Sequence, residues 1–106
     1  MIDPQLKRGL LEICVLVVLN KSDSYGYKII HDMQGHMEIS ESTLYPILRR
    51  LQSYGSLTEY SVAHNGRLRK FYRITEDGKK QIAEFISNWN EVEKMFDFIK
   101  EGYGNE

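Results

Sequence analysis

Residues 40–78 read SESTLYPILRRLQSYGSLTEYSVAHNGRLRKFYRITEDG, and the spacing of apolar side chains changes within this stretch. Its first part has the i, i+3, i+4, i+7 spacing of an amphipathic helix, with apolar positions Leu44, Ile47, Leu48 and Leu51. Ser40 precedes this helix as a candidate N-cap, and Gly55 follows it as a candidate stop. We expect the helix to form despite Pro46, because the cap, the apolar stripe and the stop agree.

From Leu57 the pattern alternates with a period of two, and it does so again from Arg67 to Ile74. Asn65 and Gly66 separate the two runs. Short alternating runs around Asn-Gly predict two strands joined in a β-hairpin.

A final helix is predicted after the hairpin, with Thr75 as N-cap and acidic residues in the first turn, where the helix dipole favours them. Its apolar positions alternate steps of three and four, which is a heptad seam and usually indicates a partner helix; they are Ile82, Phe85, Trp89, Val92, Phe96 and Ile99. Residues 102–106 are predicted to be a frayed tail.

Two helices are predicted before residue 40. Asp3 and Pro4 have the N-cap and first-turn preferences that begin a helix, and the following residues are apolar on most sides, so part of this helix is expected to face a second subunit. A shorter helix is predicted from about residue 25 to 34, capped by Asp23 or Ser24 and ended by Gly35.

Three helices, a hairpin and a long last helix predict a mainly α fold with a small β-hairpin, a winged helix-turn-helix. We expect residues 1–75 to form the DNA-binding domain and residues 76–106 a C-terminal dimerisation helix and tail, in one compact unit. A chain of 106 residues is long enough for a single core, which disfavours an elaborate enzyme.

Charge is unevenly distributed, although the formal net charge of the chain is only −1. Residues 1–48 carry four basic and six acidic side chains, residues 49–80 carry eight and three, and residues 81–106 carry two and six. The middle segment is therefore +5 between flanks of −2 and −4. A basic segment on this scaffold favours contact with phosphates, which the total charge conceals.

The recognition helix of a helix-turn-helix protein touches bases through its N-terminal residues. Here those residues are Ser42, Thr43 and Tyr45, all able to form hydrogen bonds. Arg49 and Arg50 follow about one turn later and are suited to phosphates or guanine edges.

The second strand of the hairpin, the wing, carries Arg67, Arg69 and Arg73 on one face, with Lys70 near the tip. This spacing could follow a phosphate backbone. The alternative is that these cations only keep an exposed two-stranded edge soluble.

Several short motifs follow one another in a specific order between about residues 6 and 89. They are Leu6-Lys7-Arg8-Gly9, Ser24-Tyr25-Gly26-Tyr27, Thr43-Leu44-Tyr45-Pro46 with Leu48 and Leu51, Gly55, and Arg69-Lys70-Phe71-Tyr72-Arg73 leading into Thr75-Glu76-Asp77-Gly78. In this order and spacing they resemble the PadR-type transcriptional regulators, in particular the small subgroup with a single C-terminal helix. One departure is Arg67-Leu68, where many relatives carry prolines.

The resemblance implies a homodimeric, usually repressing, DNA-binding protein that a small molecule often releases and that dimerises through its first and last helices. It also implies tyrosine hydroxyls near DNA phosphates, although these tyrosines could instead be core aromatics with bonded hydroxyls. The predicted contacts with double-stranded DNA are Tyr25, Tyr27, Lys28, Ser42, Thr43, Tyr45, Arg49, Arg50, Arg67, Arg69 and Lys70.

Trp89 lies in the middle of the heptad seam and would approach its mate if two last helices cross about a two-fold axis. The resemblance implies that such a tryptophan pair sandwiches a flat aromatic effector at the dimer interface. The predicted ligand-binding residues are Glu12, Ile13, Phe85, Ile86, Trp89 and Glu93. The alternative is that Trp89 serves only dimer packing.

Other classes of function have little support in the sequence. The longest apolar run, residues 13–19, is far shorter than the ~20 residues that span a bilayer, so we expect no membrane partner. The three histidines and Cys14 form no catalytic or metal-binding motif, so we expect no catalytic residues, metal or cofactor. Cys14 is expected to be an inert core thiol in a cytoplasmic protein. The competing hypothesis is a dimeric ligand-binding or interaction module without sequence-specific DNA binding.

Overall fold

The computed structural model describes residues 1–104 of the chain. Within them lie four helices and two strands, in the order α1 (Pro4–Lys21), α2 (Gly26–Met33), α3 (Glu41–Ser53), β1 (Leu57–His64), β2 (Arg67–Ile74) and α4 (Glu76–Gly104). The two strands pair antiparallel as a single hairpin. This confirms the predicted mainly helical fold with a winged helix-turn-helix.

Side chains cap three of the helices where the sequence predicted caps. Asp3 Oδ2 accepts hydrogen bonds from the backbone N–H groups of Gln5 and Leu6, at 3.1 and 3.2 Å. Ser40 Oγ accepts from the Thr43 N–H at 3.3 Å. In the same way, Thr75 Oγ1 accepts from an N–H in the first turn of α4 at 3.1 Å. These bonds satisfy N–H groups that have no partner within the helix.

The prediction that Asp23 or Ser24 caps α2 is wrong. The N-cap is Tyr25, whose side chain makes no capping hydrogen bond. Ser24 instead pairs through its backbone with Tyr72 of β2, in two hydrogen bonds of 3.2 and 2.7 Å. The loop before α2 therefore contacts the wing and does not cap α2.

The prediction of a frayed tail is also wrong for residues 102–104, because α4 continues to Gly104; Asn105 and Glu106 lie outside the described residues. The helix has 29 residues, a length of about 43 Å. It accounts for the elongated shape of the chain, 66 × 26 × 21 Å, and most of its second half is exposed. No helix within residues 1–104 is long and apolar enough to cross a membrane.

The core lies among α1, α2, α3 and the base of the hairpin. Its buried apolar side chains include every position predicted from the α3 stripe, and they are Leu11, Val15, Leu16, Leu19, Ile29, Met33, Leu44, Ile47, Leu48, Leu51, Leu57 and Tyr72. Cys14 packs against this cluster, and its partial burial raises the pKa of the thiol above its usual value. A thiol with a raised pKa is a poor nucleophile at neutral pH.

The hairpin has the register that an Asn-Gly turn predicts. Leu57 lies opposite Ile74 at the base and His64 opposite Arg67 at the tip. Asn65 and its following glycine have φ angles of 49° and 77°, in the left-handed region that a two-residue primed turn requires.

Gly78 is buried in the first turn of α4, where the helix meets the end of α3 and the start of the wing. A Cβ at this position would overlap the carbonyl oxygen of Ser56 and lie 2.7 Å from a side-chain carbon of Ile74. The Ser56 carbonyl also accepts the Thr75 N–H at 3.1 Å, so it cannot move aside without loss of that bond.

We therefore expect Gly78→Ala to lower the free energy of unfolding by about 2 kcal/mol, since overpacking outweighs the gain in helix propensity. Gly9→Ala is the matched control, because Gly9 is exposed in the first turns of α1 with nothing within 4 Å of an added Cβ. It should raise the free energy by about 0.5–1 kcal/mol. Denaturant unfolding of both variants at one protein concentration measures the difference, and changes of the same sign would contradict the close contact at Gly78.

Candidate nucleic-acid interface

Helix α3 presents a polar face to solvent opposite its buried leucines. Ser42, Thr43, Tyr45 and Arg49 are exposed along this face. The Ser40 hydroxyl lies 2.9 Å from the Ser42 hydroxyl and 3.2 Å from the Thr43 hydroxyl. The N-cap thus orders two hydroxyls at the N-terminus of α3, the part of a recognition helix that reads base edges.

Tyr45 crosses from α3 to the first turn of α2. A Cβ on Gly26 would lie 2.5 Å from the Tyr45 hydroxyl oxygen, so only glycine leaves room for this ring. The phenol is 39% exposed, so its hydroxyl stays accessible at the α2 N-terminus. A helix N-terminus with an accessible hydroxyl favours an anion.

A groove runs from this point to the wing, with lining residues Tyr25, Gly26, Tyr27, Tyr45, Arg69, Lys70 and Tyr72. Tyr27 is 71% exposed, which excludes the alternative that it is a core aromatic. Tyr25 is half-buried at the N-cap of α2. Phenol hydroxyls, two cations and the start of a helix therefore surround one open space, a combination suited to phosphate.

The wing cations differ in how tightly they are held. The guanidinium of Arg69 lies over the ring of Tyr25, 4.2 Å from its centroid. Lys70 is exposed and only 4.0 Å from a Glu59 carboxylate oxygen. Arg67 is exposed beside the turn. The structure brings Arg69 and Lys70 to the groove and leaves Arg67 at the wing tip.

Arg73 shares its strand face with Arg69 but is bound to another residue. Its Nε and a terminal nitrogen each lie 2.9 Å from Asp23 Oδ2, which also accepts from the Tyr60 hydroxyl at 2.6 Å. The hydrogen bonds from Tyr60 and then Arg73 lower the pKa of the Asp23 carboxyl below its usual value, so it stays charged at neutral pH.

Arg50 and Glu12 lie side by side and pair with each other. Arg50 was expected at DNA and Glu12 in a ligand site, but Arg50 Nε donates to Glu12 Oε1 at 3.2 Å. Glu12 is buried, 8% exposed, between α1 and α3. A carboxylate in this position requires its cation, so both side chains serve the packing of α3 on α1 in this chain.

Lys28, another predicted DNA contact, is exposed on α2 and forms an ion pair of 2.9 Å with Asp32 one turn further on. Exposed pairs of this kind are weak, so Lys28 can exchange this partner for a phosphate.

The predicted ligand-binding residues are only partly brought together. Phe85 and Trp89 stack on α4, with ring centroids 5.8 Å apart and planes 16° apart. Ile86 and Glu93 are exposed on the same helix. Ile13, however, lines a different, apolar groove between α1 and α2.

Asp23, Tyr60 and Phe71 were not predicted to belong to this region, although they support the wing cations. Their contacts join residues that are distant in sequence, and local spacing carries no signal for them. A glycine such as the one in the Ser24-Tyr25-Gly26-Tyr27 motif often indicates that another group packs closely against the backbone. Here that group is the side chain of Tyr45.

Within residues 1–104, no group of three or more His, Cys, Asp or Glu side chains is placed to hold a metal ion.

The sequence profile of the PadR-like family of transcriptional regulators matches residues 15–84, which include α2, α3, the wing and the start of α4. This chain belongs to the PadR-like family. It is therefore a DNA-binding transcriptional regulator with a winged-helix fold, and its family is one of regulators rather than enzymes.

Solved structures and relatives agree with membership of the PadR-like family. A PadR family transcriptional regulator from Eggerthella lenta is 32% identical, with a TM-score of 0.82 over 92% of this chain and 87% of that one. An uncharacterized protein from Lysinibacillus sphaericus is 32% identical over 96% of this chain and 98% of its own length. Bacillus subtilis PadR in complex with operator DNA has a similar fold at 23% identity, with a TM-score of 0.68 over 73% of this chain and 46% of that chain.

Proposed function

We propose that this PadR-like regulator is a cytoplasmic, homodimeric repressor that binds a palindromic operator through α3 and the wing. The observation that carries the proposal is the groove at the start of α2. There tyrosine side chains, Arg69 and Lys70 surround one open space. Tyr45 joins this space to α3, whose N-terminal turn carries the ordered hydroxyls of Ser42 and Thr43. The groove suits a phosphate, and the N-terminal turn of α3 suits base edges.

The division of labour follows from the chemistry of each group. Phosphate contacts fix the position of a protein on DNA, and base contacts give the sequence preference. We assign the phosphate role to the groove residues together with Lys28, Arg49 and Arg67. We assign the base-reading role to Ser42 and Thr43, because they begin the recognition helix. Arg50 is left out, since it already neutralises a buried carboxylate.

The dimer is inferred from the apolar surface of α4. The seam residues in its second half remain exposed in the single chain, with Val92 at 44%, Phe96 at 53% and Ile99 at 62%. An apolar surface of this kind on a soluble protein marks an interface. A second copy is the occupant that fits the heptad spacing, with the partly exposed α1 completing the interface. A two-fold dimer then reads a palindrome.

An aromatic effector is the finer part of the proposal. The stacked Phe85 and Trp89 would form its walls together with their two-fold mates, with Ile86 and Glu93 nearby. Addition of planar aromatic compounds should quench the fluorescence of Trp89, the sole tryptophan, with saturation at one compound per dimer. Lack of quenching across a broad panel would mean that Trp89 serves dimer packing alone.

The test of the function is a mobility shift with a palindromic fragment from the promoter of the protein's own gene. We expect a shift that a scrambled duplex competes for poorly. Equal binding of both duplexes would support instead a dimeric module without sequence-specific DNA binding. Absence of binding even at low salt would overturn DNA binding through the basic face.

A further inference from the structure

The loop between α1 and α2 holds both strands of the wing at a single carboxylate oxygen. Asp23 Oδ2 accepts the hydroxyl proton of Tyr60 on β1 at 2.6 Å and lies 2.9 Å from each of two guanidinium nitrogens of Arg73 on β2. The contacts join residues 37 and 50 positions apart in the chain. Three donor nitrogens and oxygens from the two strands therefore converge on Oδ2 of this carboxylate.

A continuous series of aromatic contacts leads from this carboxylate to the groove. Tyr60 stacks on Phe71 at 5.7 Å between centroids, and Phe71 meets the ring of Tyr25 edge-on at 5.3 Å. The guanidinium of Arg69 lies over the ring of Tyr25, which ends this series, at 4.2 Å from the ring centroid. A shift of Tyr60 would therefore be transmitted to the guanidinium that we assign to a phosphate.

The wing needs such support because it is a sheet of only two strands, which is marginally stable by itself. The buried side chains of Leu57 and Tyr72 and the backbone pairing of Ser24 with Tyr72 fix the wing at its base. Asp23 supplies a second attachment, on the opposite strand as well as on β2. This attachment includes Tyr60, three residues beyond the buried Leu57, so it restrains the hairpin farther from its base.

We propose that Asp23 is a positioning residue for DNA binding: its carboxylate clamps Tyr60 and Arg73 and so sets the wing at the angle at which Arg69 and Lys70 meet a phosphate. This inference rests on the proposed function. In this proposal the acidic side chain of Asp23 favours the binding of DNA, a polyanion, without contacting the DNA itself.

The sign of the effect separates positioning from simple electrostatics. Asp23→Ala removes a negative charge beside a DNA-binding surface, which by Coulomb's law alone should strengthen binding. The clamp predicts the opposite, a loss of about tenfold in affinity for a short labelled duplex, measured by fluorescence anisotropy. The log–log salt slope should also fall by about two per dimer, because one wing contact per protomer is lost.

Two further variants complete the test. Asp32→Ala is the matched control, since it removes the same charge from an exposed ion pair on α2; its affinity should be unchanged or slightly higher. Tyr60→Phe keeps the ring stack and loses only the hydroxyl donor, so it should lose about threefold and add little to Asp23→Ala. Circular dichroism and the unfolding midpoint verify that each variant is folded.

The outcomes distinguish this inference from the function on which it rests. If the natural protein binds the duplex and both Asp23→Ala and Tyr60→Phe bind as well or better with an unchanged salt slope, the clamp is refuted while DNA binding stands. If the natural protein itself fails to bind, the proposed function is refuted. Weaker binding with a lower slope in Asp23→Ala, but not in Asp32→Ala, supports the clamp.

Discussion

Replacement of Arg69 and Lys70 together by alanine is expected to weaken duplex binding about a hundredfold at physiological salt. The two cations line the groove beside Tyr25, and each neutralised phosphate releases counterions. A dimer would lose four such contacts, so the log–log salt slope should fall by about three to four. Anisotropy titrations at several salt concentrations measure both quantities.

The matched control removes two cations from the same basic segment but away from the groove. Lys79 and Lys80 are exposed in the first turns of α4, where Lys79 pairs with Glu76 at 3.4 Å. Their double alanine variant has the same change in net charge and should lower the slope by less than about one. Equal effects of the two double variants would show that total charge, not the wing, determines binding.

Introduction of glutamate at both Phe96 and Ile99 is expected to separate the proposed dimer. Both side chains are more than half exposed in the chain and lie on the heptad seam. Four added negative charges across a two-fold interface would oppose association and desolvation. Light scattering should change from about 25 kDa, twice the chain mass of 12.4 kDa, to the mass of one chain.

This variant should also bind a palindrome more than about a hundredfold less tightly, since a single recognition unit loses the effective concentration of its partner. Glutamate at Ser87 and Lys94 is the control, because these positions lie opposite the seam and are exposed. It should remain dimeric. A natural protein that is monomeric at micromolar concentration would contradict the dimer directly.

Local signals were sufficient to predict most of the fold. Ser40, Asn65-Gly66 and Thr75 act on backbone groups within three residues of themselves, so the capped starts of α3 and α4 and the turn of the wing could be predicted from spacing alone. The end of α4 could not, because glycines at 102 and 104 usually indicate fraying and the helix nevertheless continues to Gly104.

The pairings in the candidate site that the sequence did not indicate are contacts between distant parts of the chain. Arg50 lies in the basic segment, but its partner Glu12 is 38 residues away, and no local pattern indicates that pairing. Asp23 has the residue type and position of a helix cap, but its carboxylate binds Arg73 of the wing instead. A charge that is assigned to DNA from sequence can therefore be occupied by a partner within the fold.

The most direct test is a crystal structure of the dimer with a palindromic duplex from its own promoter. We expect one phosphate within hydrogen-bond distance of Tyr45 and Arg69, and the hydroxyls of Ser42 and Thr43 at base edges in the major groove. The duplex should lie away from the acidic second half of α4. DNA bound across another face, with the groove at the start of α2 open to solvent, would contradict the proposed interface.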